Sequence, residues 1–223
     1  MTLRDVVLNE FHQLYYGEKS RSPILNTTKW MGVNIVKCPL DLHSYQEIMF
    51  ETRPDVIIET GTLHGGSALW FAHMMELMSL SPGVISIDIH GDTIPPRPKH
   101  DKIVYLTGSS ISKEILESVE SYLSSATDIL RRAPRVMVVL DSDHRANHVY
   151  QELSLYSGLV TPGCYLIVED SNIGGHPVLG GWGAGPMEAM DSWLPGHPEF
   201  ERDAYRERFL LTMNPMGYLK KKE

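Results

Sequence analysis

VIIETGTLHGGSALW, residues Val56 to Trp70, is the stretch on which the reading of this chain turns. A short apolar run ends in Glu59, passes through a glycine loop and enters a helical pattern at Ser67. That order suits a nucleotide or nucleoside ligand lying against backbone at the carboxyl end of a parallel strand. Gly61, Gly65 and Gly66 lack the Cβ atoms that would hold such a ligand away. The spacing Glu59-x-Gly61-x-x-x-Gly65 is not the G-x-G-x-x-G of dinucleotide enzymes, and no Gly-Lys-Ser/Thr of a phosphate loop follows.

Outward from this unit the chain alternates strands and helices. Val56 to Glu59, Val84 to Asp88, Ile103 to Thr107, Val136 to Asp141 and Tyr165 to Asp170 read as short buried strands. Ser67 to Leu80, Ser112 to Leu123, Ala146 to Gly158 and Pro186 to Trp193 read as helices. Pro82-Gly83 and Pro162-Gly163 are turn signals, and Phe209 to Met213 reads as a late strand before Pro215 and Gly217. The rhythm predicts an α/β fold, a mostly parallel sheet with helices on both faces, in a single domain spanning residues 1–223. Residues 1–55 read as helical cover, with helices over Leu3 to Tyr16 and Asp41 to Thr52. Residues 171–186, rich in glycine, read as a loop over a site. Glu59, Asp88, Asp141 and the pair Glu169-Asp170 fall at strand ends, where ligands bind in such sheets. Asp141 is equally placed to cap the helix near Ala146, as are Asp143 and Asn147.

The composition bounds the partners. The 223 residues are 42% hydrophobic and 22% charged, ordinary for a globular protein, and the net charge of −8 argues against a nucleic-acid partner. Lys220 to Lys222 read as a solvated tail. Cys38 and Cys164 read as apolar fillers in a reducing compartment, and Met74, Met75 and Met78 as core filler. The apolar stretch around Ala68 to Met78 is broken by His73 and Glu76, which excludes a membrane span. No signal sequence is visible at the start of the chain, so the expectation is a cytoplasmic enzyme, with a monomer and a homo-oligomer both open.

KCPLDLHSYQEIMFETRPDVIIETGTLHGGSALW, SIDIH, VMVVLDSDH, YLIVEDSNI, GWGAGPMEAMDSWL and FLLTMNPMGYLKK, in that order, span Lys37 to Lys221. Together they resemble the cephalosporin hydroxylase-like family, which covers many S-adenosylmethionine-dependent O-methyltransferases. Macrolide-sugar and rhamnosyl O-methyltransferases share the pattern, and catechol O-methyltransferases are more distant. The resemblance implies a class I methyltransferase (Rossmann-like) sheet. Glu59, Gly61 and Gly65 would shape the pocket for the methionine end of the cofactor, with Ser67 near its carboxylate. Asp88 would face the ribose, Ser109 the adenine edge, and Asp141 would border the cofactor. Asp141, Glu169 and Asp170 fall on the family's metal ligands, with Asp143 in reserve. A shell of carboxylate oxygens favours Mg²⁺, with Mn²⁺ or Ca²⁺ as substitutes. His144 falls where the sugar-directed relatives carry a histidine base and the catechol enzymes a lysine; histidine as a residue type titrates near ~6.5, suited to a general base. His64 and His148 receive no catalytic role; His90 and Asp92, after the second strand, face either the cofactor or solvent.

These assignments predict Mg-dependent methyl transfer to a vicinal diol of a small molecule. The modest chain length and the acidity of phenols favour a catechol; His144 favours the alternative, a sugar hydroxyl of the rhamnosyl type. Two other classes stand beside it. A nicotinamide-dependent oxidoreductase would use Asp88 for its ribose, against the glycine spacing. A catalytically silent cofactor-binding module would have no use for Asp141, His144, Glu169 and Asp170 together.

Overall fold

The structure, a computed structural model, describes residues 2–16, 24–91 and 96–223; Asp92 lies outside them. The chain opens with helix α1 (Leu3–Tyr15), a short hairpin of β1 (Lys29–Trp30) and β2 (Val33–Asn34), and α2 (Pro39–Thr52). Then come β3 (Val56–Thr60), α3 (Gly66–Leu77), β4 (Gly83–Asp88), β5 (Ile103–Thr107), α4 (Lys113–Leu130), β6 (Val136–Leu140), α5 (Ala146–Tyr156) and β7 (Tyr165–Val168). The end of the chain adds α6 (Pro186–Trp193), β8 (Phe200–Arg202) and β9 (Tyr218–Lys221).

Seven strands form one sheet in the order β5-β4-β3-β6-β7-β9-β8. The first five are parallel; β9 and β8 close the edge antiparallel. The strand order reverses between β3 and β6, which opens a crevice past their carboxyl ends. Alternation along β3 explains its place in the centre. Val56 and Ile58 join α4, α5 and α6 in one core, while Ile57 joins α2 and α3 in the other. Both faces are covered, so the strand is apolar throughout, and each fully buried isoleucine contributes roughly 1.5–3 kcal/mol. Cys38 and Cys164 are free and buried, and Met75 is fully buried with Met74 and Met78 packed at the edge of its core.

The sequence reading needs correction near the end of the chain. Phe209 to Met213 is turn and irregular chain, with Leu210 at φ +67° in the left-handed region. Its polar groups are spent on a buried aspartate: Thr212 Oγ1 donates to Asp41 Oδ1 at 2.5 Å, and Met213 N to Asp41 Oδ2 at 2.8 Å. The strand comes later, after the turn at Pro215–Gly217. Lys220 and Lys221 therefore belong to β9 and are no solvated tail; Lys221 Nζ donates to the carbonyls of Ser157 and Val160. Helix α4 also runs further than the pattern indicated, to Leu130. Among the described residues no helix is long and apolar enough to cross a membrane.

Candidate active site

A cavity of about 550 Å³ lies in the crevice at the strand-order reversal. Its wall takes Gly61 from the loop after β3, Asp88 from β4, Ser109 from the turn after β5, Asp141 and His144 from the loop after β6, and Asp170 from the loop after β7. Gly61 has φ +87°, and a Cβ there would stand 1.8 Å from the Asp141 carbonyl oxygen. Gly65 has φ +76° and starts α3 without a side-chain cap. The glycines thus serve the close approach of protein backbone as well as that of a ligand.

Glu59 does not line the cavity. It is fully buried behind the wall, where Ser86 Oγ donates to its Oε2 at 2.5 Å and its Oε1 has no protein partner. Burial pushes its carboxyl up to about 7, against the pull of Lys37 and of the Ser67 and Ser86 hydroxyls. Ser67 is buried and borders the cavity at the start of α3. Asp88 accepts from Leu63 N at 2.7 Å and from His90 N at 2.8 Å, and Arg97 Nη2 stands 3.3 Å away. Each of its oxygens keeps lone-pair capacity for a ligand hydroxyl.

The three predicted metal carboxylates come to adjacent strand ends but do not all face the same way. Glu169 and Asp170 are consecutive, both past the end of β7, and their carboxylates meet different partners. Asp170, at φ +53°, turns into the cavity, where its Oδ2 lies 3.3 Å from His144 Nε2; Asp141 Oδ1 is 3.9 Å from the same nitrogen. Donor atoms of Asp141, His144 and Asp170 all lie within 4.8 Å of one another. Glu169 stands apart from this group: its Oε2 accepts from Lys37 Nζ at 2.6 Å and its Oε1 from Tyr45 Oη at 2.9 Å. Lys37 Nζ also donates to Asp141 Oδ2. Burial opposes the Lys37 charge, but Asp141 and Glu169 outweigh it and raise the lysine's pKa; burial likewise raises the carboxyls of Asp141 and, most, Glu169.

Other residues singled out in the sequence fall into place around this corner. Asp143 pairs with Arg145 at 2.8 Å and is no part of the cluster, and α5 starts at Ala146 without a side-chain cap from Asp141. His64, His90 and His148 border the cavity; His148 shares hydrogen bonds with Ser110 and Ser142, and an ion pair with Glu152 raises its pKa. The 171–186 segment lies beside the cluster, with Trp182 Nε1 donating to the His144 carbonyl at 3.2 Å.

Sequence reasoning missed four residues. Tyr16, at the end of α1, donates to Asp170 Oδ1 at 2.6 Å across 154 positions, a contact with no local signal. Tyr45 and Asn214 brace the corner, Asn214 by donating to Tyr45 Oη and accepting from Asp170 N. Lys37 had a signal: it is the single charge in the run VNIVKCPL.

Comparison with known proteins agrees with this architecture. A family model described as "Rhamnosyl O-methyltransferase/CmcI" matches residues 23–222. The rhamnosyl O-methyltransferase of Mycobacterium tuberculosis (strain ATCC 25618 / H37Rv) is 36% identical over 218 residues, 96% of this chain and 85% of the relative. That of Mycobacterium leprae (strain TN) is 36% identical over 220 residues, 98% and 92% of the two chains. Among solved structures, "cmcI-D160 Mg-SAM" superposes with a TM-score of 0.64 at 19% identity over 89% of this chain and 78% of that one, a likeness of fold.

Proposed function

The chain belongs to the rhamnosyl O-methyltransferase/CmcI family and is an S-adenosylmethionine-dependent O-methyltransferase, and from that premise we propose that it methylates a hydroxyl of a sugar diol with the help of a divalent cation, Mg²⁺ first. The observation that carries the reading is the meeting of His144, Asp141 and Asp170 in the same cavity as the glycine loop. Both curated relatives act on a rhamnosyl group by their names, which favours the sugar over the catechol.

S-adenosylmethionine supplies an electrophilic methyl group. Gly61 and Gly65 leave room for it, Ser67 and Ser109 offer hydroxyls, and Asp88 offers its free lone pairs to the ribose. Glu59 lies outside the cavity and is fully buried, so its ionised form would favour the cofactor's ammonium group through the wall, without contact. Asp141 and Asp170 are hard oxygen donors and would hold the cation, whose contribution would be to lower the pKa of the attacking hydroxyl and fix its position. His144 takes the hydroxyl proton on Nε2. Trp182 ties the 171–186 loop to the backbone of His144 at the edge of the cluster.

The Glu59 carboxyl makes cofactor binding pH-dependent. With its pKa pushed up to about 7, Glu59 holds a proton in the free protein at pH 6, and an ammonium ligand favours the ionised form. Binding therefore releases a proton below that value. Affinity for S-adenosylmethionine should rise about five- to tenfold from pH 6 to 7.5 in calorimetry, and Glu59→Gln should flatten the profile. A flat profile in the wild-type protein removes Glu59 from cofactor binding.

Acceptor choice tests the function itself. A rhamnoside should be methylated with Mg²⁺ present, and its 3-deoxy analogue, which keeps no two adjacent hydroxyls, should not, because a hydroxyl without a neighbour is free to rotate away from the methyl group; lost orientation of that kind accounts for several kcal/mol of barrier. A catechol and its mono-phenol form the parallel pair. Equal rates on the two members of a pair refute anchoring through adjacent oxygens, and turnover of the catechol alone refutes the sugar reading.

A further inference from the structure

We propose that Lys37 is an internal counter-ion of the carboxylate corner, a positioning residue that stands in for the divalent cation when the cation is absent and opposes its entry. The inference rests on the metal reading above and concerns a residue that reading does not use.

Lys37 is 3% exposed, and a lysine reaches that degree of burial only with partners for its charge. Its ammonium bridges Asp141 Oδ2 and Glu169 Oε2, drawing together carboxylates from two neighbouring strand ends. The remaining oxygens of the corner divide into two groups. Glu169 Oε1 is taken by Tyr45 Oη and Asp170 Oδ1 by Tyr16 Oη. Asp141 Oδ1 and Asp170 Oδ2 are left facing His144 Nε2. Asp141 is therefore shared, one oxygen on the ammonium and the other on the open cluster.

Two consequences of opposite sign follow. Without a metal ion, three carboxylates in one corner repel one another, and the ammonium offsets that repulsion. With a metal ion, the same ammonium is a like charge across a single carboxylate from it, and it withholds Glu169 from the ion.

A merely structural lysine and a competing one give opposite results on removal. The full-length protein, stripped with EDTA, is titrated with Mn²⁺ by calorimetry or electron paramagnetic resonance, and its Tm is measured with and without Mn²⁺. Lys37→Met deletes the charge, and Lys37→Gln deletes it while keeping hydrogen-bonding capacity toward both carboxylates, in case the methionine variant does not fold. In the folded variant, Mn²⁺ is expected to bind at least tenfold more tightly than in wild type. The metal-free Tm is expected to fall, and the rise in Tm on adding Mn²⁺ to grow. Mn²⁺ bound by the wild type but equally or more weakly by the variant overturns the counter-ion role alone. Mn²⁺ bound by neither protein overturns the metal reading, and this inference with it.

Discussion

Replacing His144 by alanine is expected to lower kcat by roughly 10²–10⁴ while leaving the affinity for S-adenosylmethionine almost unchanged. The imidazole Nε2 lies 3.3 Å from Asp170 Oδ2 and 3.9 Å from Asp141 Oδ1, so a hydroxyl anchored at those carboxylates comes within its reach. Its ion pairs are to Asp170 and Asp141 and not to the glycine loop, which is why cofactor affinity should be spared. The same distances also suit a histidine that ligates the metal, and one added measurement separates the roles. A base lost at His144 leaves Mn²⁺ affinity intact; a ligand lost there weakens it. A kcat within threefold of wild type, with Mn²⁺ affinity unchanged, means that the hydroxyl loses its proton elsewhere.

Removal of the divalent cation should have an effect of similar size. Treatment with EDTA is expected to cut turnover by roughly 10²–10³, corresponding to several kcal/mol of transition-state stabilisation, and added Mg²⁺ should restore it. Asp170→Asn should reproduce the loss without rescue. This substitution keeps the shape of the side chain and an acceptor for Tyr16 Oη while removing the charge that faces His144. Circular dichroism should show the variant folded. Full turnover in protein shown by elemental analysis to be free of metal would leave Asp141 and Asp170 as structural residues and require methyl transfer without an ion.

The parts of this molecule that were legible in the sequence are those governed by short-range chemistry. The strand, acidic residue, glycine loop and helix of Val56–Trp70 lie within fifteen consecutive positions, and each obeys a local rule. Carboxylates at strand ends were legible for the same reason, because a parallel sheet brings successive strand ends to one edge. Which way each carboxylate faces was not. Glu169 and Asp170 differ by one position, and their separation depends on Lys37 and Tyr45 on one side and Tyr16 and His144 on the other, all distant in sequence. The false strand at Phe209–Met213 failed similarly: its apolar run looks extended, but Asp41, more than 160 positions earlier, takes its donors. Helix α1 was legible as a helix; its grip on the site, through His12 on Asn172, Gln13 on the Pro177 carbonyl and Tyr16 on Asp170, was not.

Gly61 bears on how such a protein can be rebuilt. Its absent Cβ would fall 1.8 Å from the carbonyl oxygen of Asp141, and its φ of +87° is one that other residues rarely adopt. Any larger side chain there moves the turn after β6, and with it the carboxylate and the histidine three residues on. The glycine loop and the acidic corner are thus a single structural unit. A loop grafted from another enzyme to change the cofactor would arrive with a demand on a different strand, and an engineer would have to recut both pieces in the same design.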